Sequence, residues 1–206
     1  MGAGLSYPTL GGTHQAIEDV AVAMVCPNLT VLAPCDPAET EACVRWCMSR
    51  KSGGPVYLRL GKAGEPALTA SVPPWQFGEL RWLRRGRGNI AQRSLTCVLS
   101  YGPIAAEAVR VAETLDADMA LVPTLMPAPV GLAVLADDYG RVVVVEEASG
   151  APLAAQVRAA VGCLEVYNVD VQSFAIPREF PHIYGTRAEL LAAVGLTAEK
   201  ILEQLA

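Results

Sequence analysis

The stretch NLTVLAPCDPAETEACVRWCMSRKSGGPVYLRLG, residues 28–61, decides the fold. Its first seven residues form a short β-rich run. Asp36, Pro37 and Glu39 then follow in the order of a helix start: an N-cap aspartate, proline at the first helical position and glutamate at the third. This spacing predicts a helix to about Arg50, with Cys43 and Cys47 one turn apart. GGPVYLRLG reads as a second strand, closed by Gly61. Strand, helix and strand in this order are a piece of a parallel sheet with a crossover helix.

Working outward, GGTHQAIEDVAV (residues 11–22) reads as a loop entering a helix, with Thr13 as its cap and Met24 near its end. Downstream, residues 61–78 are rich in Gly, Pro and Ala without a period and read as a linker. Beyond it, strands at ELRWLRR, SLTCVLSYG, DMALVPTL, RVVVVEEA and CLEVYNVDV alternate with helices at PIAAEAVRVAETL, GLAVLADDY and APLAAQVRAAVG. Two helices close the chain: TRAELLAAVG, where Thr186 and Glu189 repeat the capping box, and AEKILEQLA. Continuous Val-rich strands suit a sheet covered on both faces. The fold class is α/β: a partial parallel-sheet unit over residues 1–60, a linker over 61–78 and a doubly wound unit over 79–206. The first unit offers too few elements for a core of its own. It reads as the back half of a domain whose front half is elsewhere.

The chain has 206 residues, 52% hydrophobic and 18% charged, with a net charge of −5. That balance supports a buried core and argues against a nucleic-acid surface. The basic cluster RWLRRGR, with Arg81, Arg84, Arg85 and Arg87, is read as a solvated strand or hairpin. No apolar run reaches the ~20 residues of a membrane span. The opening residues lack the basic and apolar regions of a secretory signal, and the myristoylation-like MGAGLS is too common a pattern to weigh. None of the six cysteines lies in a CxxC pair, so free thiols in a reducing cytoplasm are expected, with no metal site.

GGTHQAIEDVAV, PNLTVLAPCDPAETEACVRW and GGPVYLRLG together resemble the pyrimidine-domain stretch of the transketolase family of thiamine diphosphate enzymes. VLSYGPIAAEAVRVAETL, VVVVEEAS and IPREFPHIYGTRAELLAAVGLTAEKILEQL resemble the family's C-terminal domain. The resemblance covers nearly the whole chain in the family's order and implies ketol transfer between sugar phosphates. It implies that His14, the histidine of the T-H-Q motif, hydrogen-bonds sugar oxygens. An electropositive helix start suits an imidazole that donates to an oxygen gaining negative charge. It implies that Arg59 grips the sugar phosphate, a task that fits the guanidinium fork.

The departures are as informative. Leu10 stands where the family carries an acceptor-binding aspartate, and ASGAPLA replaces the glycine-rich turn after the VVxxEE strand. No G-D-G…N motif is present, and neither Glu18, Glu146 nor Glu147 matches the glutamate that activates the cofactor. The expectation is therefore an incomplete piece, inactive alone. The complete enzyme would hold thiamine diphosphate and Mg²⁺ together with a complementing N-terminal chain, and self-association is expected. The alternatives are a piece of a deoxyxylulose-phosphate synthase, a 2-oxo acid dehydrogenase β-subunit-like piece, or a non-catalytic assembly module.

Overall fold

In the computed structural model, residues 2–51, 53–62, 64–68, 75–85, 95–162 and 169–206 are described. Cys163, Arg87 and the stretch CLEVYN of an expected strand lie outside them. The chain opens with β1 (Gly2–Ala3), a 3₁₀ turn (Gly11–Thr13), β2 (Gln15–Ala16) and α1 (Asp19–Met24). Then come β3 (Thr30–Leu32), α2 (Pro37–Ser49) and β4 (Val56–Leu58). The second part has β5 (Arg81–Arg84), β6 (Thr96–Ser100), α3 (Ala105–Thr114), β7 (Asp118–Leu121) and β8 (Thr124–Met126). It ends with α4 (Leu135–Asp138), β9 (Arg141–Ser149), α5 (Pro152–Gly162), β10 (Asp170–Ile176), α6 (Arg187–Ala193) and α7 (Ala198–Leu205).

Local chemistry explains these boundaries. Asp36 caps α2 by accepting from the Glu39 amide at 2.8 Å. Glu39 reaches one residue beyond the usual box, to the Cys35 amide at 2.7 Å. Thr186 and Glu189 form both halves of the capping box at α6, and Thr197 caps α7. The start of α5 has no local cap. Glu146, on the preceding strand, accepts from the Leu153 and Ala154 amides at 3.0 Å each and takes that place.

The larger sheet runs β10-β9-β6-β7-β5, with β5 antiparallel to β7 and the other pairings parallel. Alternation along β9 divides the core. Val142 and Val144 pack with α5 on one face, while Val143 and Val145 pack with α3, α6 and α7 on the other. All four valines are fully buried, each contributing about 1.5–3 kcal/mol.

Three expectations are corrected. DMALVPTL is not one strand: Pro123 ends β7, and β8 leaves to pair antiparallel with β3. The resulting three-stranded sheet, β4-β3-β8, draws strands from both sides of the linker. Val20 and Ala23 of α1 also join the cluster formed around β6, β9 and α5. The strand read at CLEVYNVDV begins at Asp170 among the described residues and runs on to Ile176. The helix read from Thr13 begins only at Asp19, because Gln15 and Ala16 are held extended by parallel pairing with Gly2 and Ala3.

The linker is tied down where it is described. The Leu68 amide donates to Asp36 at 3.0 Å, and the Gly78 amide donates to the Thr124 hydroxyl at 3.2 Å. Phe77 stacks on Trp46 of α2 with ring centroids 4.2 Å apart.

Candidate functional site

The Gly2 amide donates to the His14 carbonyl and the Ala3 amide to the Leu60 carbonyl, so β1 runs beside both sites, yet His14 is exposed and Arg59 is buried. His14 is exposed at the end of the 3₁₀ turn. It therefore does not sit at the start of α1, and the helix-start argument for its environment falls away. Its Nδ1 lies 2.9 Å from the Thr13 hydroxyl, which itself reaches the Leu10 carbonyl at 3.4 Å. The Thr13 contact engages Nδ1 and not Nε2. The Tyr7 ring stands beside the imidazole, centroids 6.0 Å apart and tilted by 44°. Lys62 places its Nζ 4.9 Å from the centroid of the same Tyr7 ring. The segment between β10 and α6 backs this loop. An added Cβ at Gly11 would meet the Tyr184 ring at 2.6 Å, and Gly185 donates to the Pro8 carbonyl at 3.4 Å.

Arg59 is 1% exposed. Its Nε and Nη2 donate to the two Asp19 carboxylate oxygens at 2.9 and 3.0 Å. Nη2 also donates to the carbonyls of Ala16 and Glu147, both at 2.9 Å. Tyr57 donates to Asp19 at 2.7 Å, and burial, with this bond, pushes its phenol above the ordinary range. Only Nη1 of Arg59 lacks a hydrogen-bond partner among the described residues. In this arrangement the guanidinium is a clamp between β2, α1, β4 and β9, out of reach of a phosphate in solvent.

Glu147 continues the clamp. Its carboxylate is fully buried, accepts from the Leu5 amide at 2.6 Å and pairs with Arg187 at the start of α6. Gly4 is required above it. Its φ is +53°, and an added Cβ would lie 2.5 Å from Glu147 Cγ. Sequence reasoning had Glu147 without a task and missed Asp19, Tyr57 and Arg187. Asp19 lies inside the quoted IED motif, but nothing in the spacing shows which arginine it meets.

The remaining buried acids are also engaged. Glu146 accepts from Tyr101 as well as from the two α5 amides, yet burial still leaves its carboxyl above the usual range. Glu39 pairs with Arg81 at 3.0 Å, both side chains at 5% exposure or less. Glu18 accepts from the Ile17 amide at 3.0 Å and lines a cavity of about 390 Å³ with Ala21, Arg178 and Phe180. Burial pushes the Cys43 thiol up to about 12, helped by Glu39 and Cys47, so it is protonated at neutral pH. Among the described residues no group of three His, Cys, Asp or Glu could hold a metal ion. No helix among them is long and apolar enough to cross a membrane.

A mostly parallel five-stranded sheet covered on both faces, a three-stranded sheet and an exposed loop histidine define a mixed α/β unit. Comparison with known proteins places it. Residues 1–64 match the family "Transketolase, pyrimidine binding domain". A transketolase family protein of Sinorhizobium fredii is 34% identical over 145 residues, 66% of this chain and 39% of its own length. The 1-deoxy-D-xylulose-5-phosphate synthase of Methylibium petroleiphilum is 31% identical over 95% of this chain and 30% of its own. A split-gene transketolase solved as an inactive β4 tetramer is 28% identical, with a TM-score of 0.76 over 98% of this chain and 62% of that one. The transketolase from Leishmania mexicana, 18% identical with a TM-score of 0.78 over 98% of this chain and 28% of that one, shares the fold. The chain is a partial, transketolase-like unit, similar to the transketolase family in sequence and in fold. It spans about a third of the length of these curated relatives.

Proposed function

We propose that this chain supplies the C-terminal part of a thiamine diphosphate-dependent, transketolase-type enzyme that moves a two-carbon ketol unit between sugar phosphates. It acts with a complementing chain and, in the reducing cytoplasm that its free cysteines suit, as an oligomer. The observation that carries this reading is the likeness over 98% of the chain to a split-gene transketolase. In this reading residues 1–60 are the back half of the pyrimidine-binding domain, 61–78 the connection and 79–206 the C-terminal domain.

The described residues do not fit thiamine diphosphate or its Mg²⁺ by themselves. The buried carboxylates of Glu39, Glu146 and Glu147 are each engaged by amide, hydroxyl or guanidinium donors. None is free to take a proton from, or share one with, an aminopyrimidine. The cofactor therefore belongs to the complete assembly, and the part left to this chain is His14. Held at Nδ1 by Thr13, its imidazole presents Nε2 to an oxygen that gains charge during transfer. The phosphate-gripping task expected of Arg59 is not carried forward, because its fork is spent on Asp19.

A second reading, deoxyxylulose-phosphate synthase chemistry, is favoured by the 31% identity to that synthase over 95% of the chain. Two measurements test the proposal. Calorimetry of the chain alone with thiamine diphosphate and Mg²⁺ should show no micromolar binding, which corresponds to about −8 kcal/mol. With a chain carrying the diphosphate-binding half, ketol transfer should appear and His14→Ala should lower kcat/KM by roughly 10²–10³. Condensation of pyruvate with glyceraldehyde 3-phosphate instead of ketol transfer would select the second reading. Activity with neither substrate set would refute both.

A further inference from the structure

We propose that Tyr184 and Arg187, both in the C-terminal part of the chain, are positioning residues that set where His14 stands. The inference rests on the transketolase-type reading above and adds what orients the histidine. The starting observation is a loop with little to hold itself. Residues 4–13 contain three glycines, Gly4, Gly11 and Gly12. Gly4 and Gly11 stand in the left-handed region, at φ +53° and +69°. Leu5 is the loop's fully buried side chain, and it packs in the cluster of Val145, Ile176 and Leu190.

The holds come from far along the chain. The Leu5 amide donates to the buried Glu147 carboxylate at 2.6 Å, and Arg187 fixes that carboxylate by donating to both of its oxygens. The Gly185 amide donates to the Pro8 carbonyl at 3.4 Å, and the Tyr184 ring lies against Gly11, where a Cβ would meet it at 2.6 Å. Residues 184–185 thus touch both sides of the turn that the Leu10 amide closes on the Tyr7 carbonyl at 3.3 Å. The end of this turn holds the histidine. The Gly11 carbonyl accepts from the His14 amide at 3.0 Å. The Leu10 carbonyl accepts from the Thr13 hydroxyl, which lies 2.9 Å from His14 Nδ1.

Burial does not account for Tyr184. It is 72% exposed, so its ring gains little from leaving water, yet it covers the loop where Gly11 has no side chain of its own. Arg187 keeps the Glu147 carboxylate in place against Gly4 and Leu5. Glycine has more backbone freedom to lose than any other residue, so contacts at Pro8 and Gly11 select one loop conformation among many. For a side chain that must meet a reacting oxygen this selection matters, because a misplacement of about 1 Å can cost about 10²-fold in rate.

Imidazole nitrogen NMR of the full chain makes the test, because the sequence has two histidines, His14 and His182, and His182→Gln assigns them. Long-range proton–nitrogen correlations of the neutral ring give the ratio of its two tautomers, which a partner on Nδ1 biases. Thr13→Val gives the reading of a released imidazole. Tyr184→Ala and Arg187→Met should each move His14 at least about half-way from the wild-type ratio to that of Thr13→Val. Tyr184→Phe, which keeps the ring, should hold the wild-type ratio. Arg81→Met breaks the buried pair with Glu39 elsewhere and should lower Tm without moving His14. Tyr184→Ala, at an exposed position, should leave Tm within about 2 °C, and it keeps the test standing if Arg187→Met does not fold. A wild-type ratio in Tyr184→Ala or in folded Arg187→Met, an equal shift in Arg81→Met, or no difference between wild type and Thr13→Val would each overturn the proposal. The ratio is read on the chain alone. Failure of ketol transfer with a complementing chain would instead overturn the role given to His14 and leave this result standing.

Discussion

Replacing Arg59 by methionine separates a structural clamp from a substrate grip. The side chain is 1% exposed and makes four hydrogen bonds, two of them to Asp19, whose own side chain is 13% exposed. Methionine fills similar volume, so little of the loss should come from a cavity. Removing one partner of a buried ion pair costs about 3–5 kcal/mol, because the other charge stays behind unpaired. Asp19 would keep its bond from Tyr57 and slight solvent contact, which places the expected loss at the lower end, about 3 kcal/mol. For a chain of this size each kcal/mol moves Tm by about 2–4 °C, so the variant should melt roughly 10 °C lower. Asp19→Asn should cost less, and the double variant should cost less than the sum of the singles, since the two residues share one interaction. Thermal melts by circular dichroism and calorimetry read all three. A melting temperature for Arg59→Met within about 1 °C of wild type, the range of an exposed substitution, would refute the buried clamp and restore Arg59 as a candidate phosphate ligand.

Two further outcomes follow from the packing. Limited proteolysis should cut first between residues 61 and 78, but the two pieces should elute together on gel filtration, because β8 pairs with β3 across that connection; pieces that separate without denaturant would show that this pairing is not holding them. Burial holds the Glu146 carboxyl above its ordinary range, so the folded state binds its proton more tightly than the unfolded chain does. Relative to Glu146→Gln, wild-type stability should therefore be greatest below the ordinary carboxylate range and fall as pH rises through the elevated folded value; a difference flat with pH, measured by urea unfolding, would contradict that sign.

The elements were legible in the sequence wherever local chemistry is strong. Asp36-Pro37-Ala38-Glu39 marks the start of α2 because the cap and the third helical residue lie three apart. Thr186 and Glu189 mark α6 for the same reason, and a run of four β-branched valines favours a strand covered on both sides. The T-H-Q segment and its continuation were enough to show the likeness to the transketolase family.

What the sequence could not decide are the relations set by long-range pairing. Residues 15–16 are extended because Gly2 and Ala3 lie alongside them, and this moves the start of α1 past His14. Pro123 looks like one residue inside a strand, yet β8 turns there to join the sheet of β3 and β4. Arg59 reads as a strand arginine ending near solvent. Its partners, Asp19 and the Glu147 carbonyl, are 40 and 88 residues away. A hydrogen-bond donor's local spacing shows its type and approximate direction, whereas its charge is buried or exposed according to which distant chain closes over it. The sequence alone therefore determined the family resemblance, the capped helices and the Val-rich core strand. The tertiary structure decided that Arg59 stands inside and that Lys62, Tyr7 and His14 stand together outside.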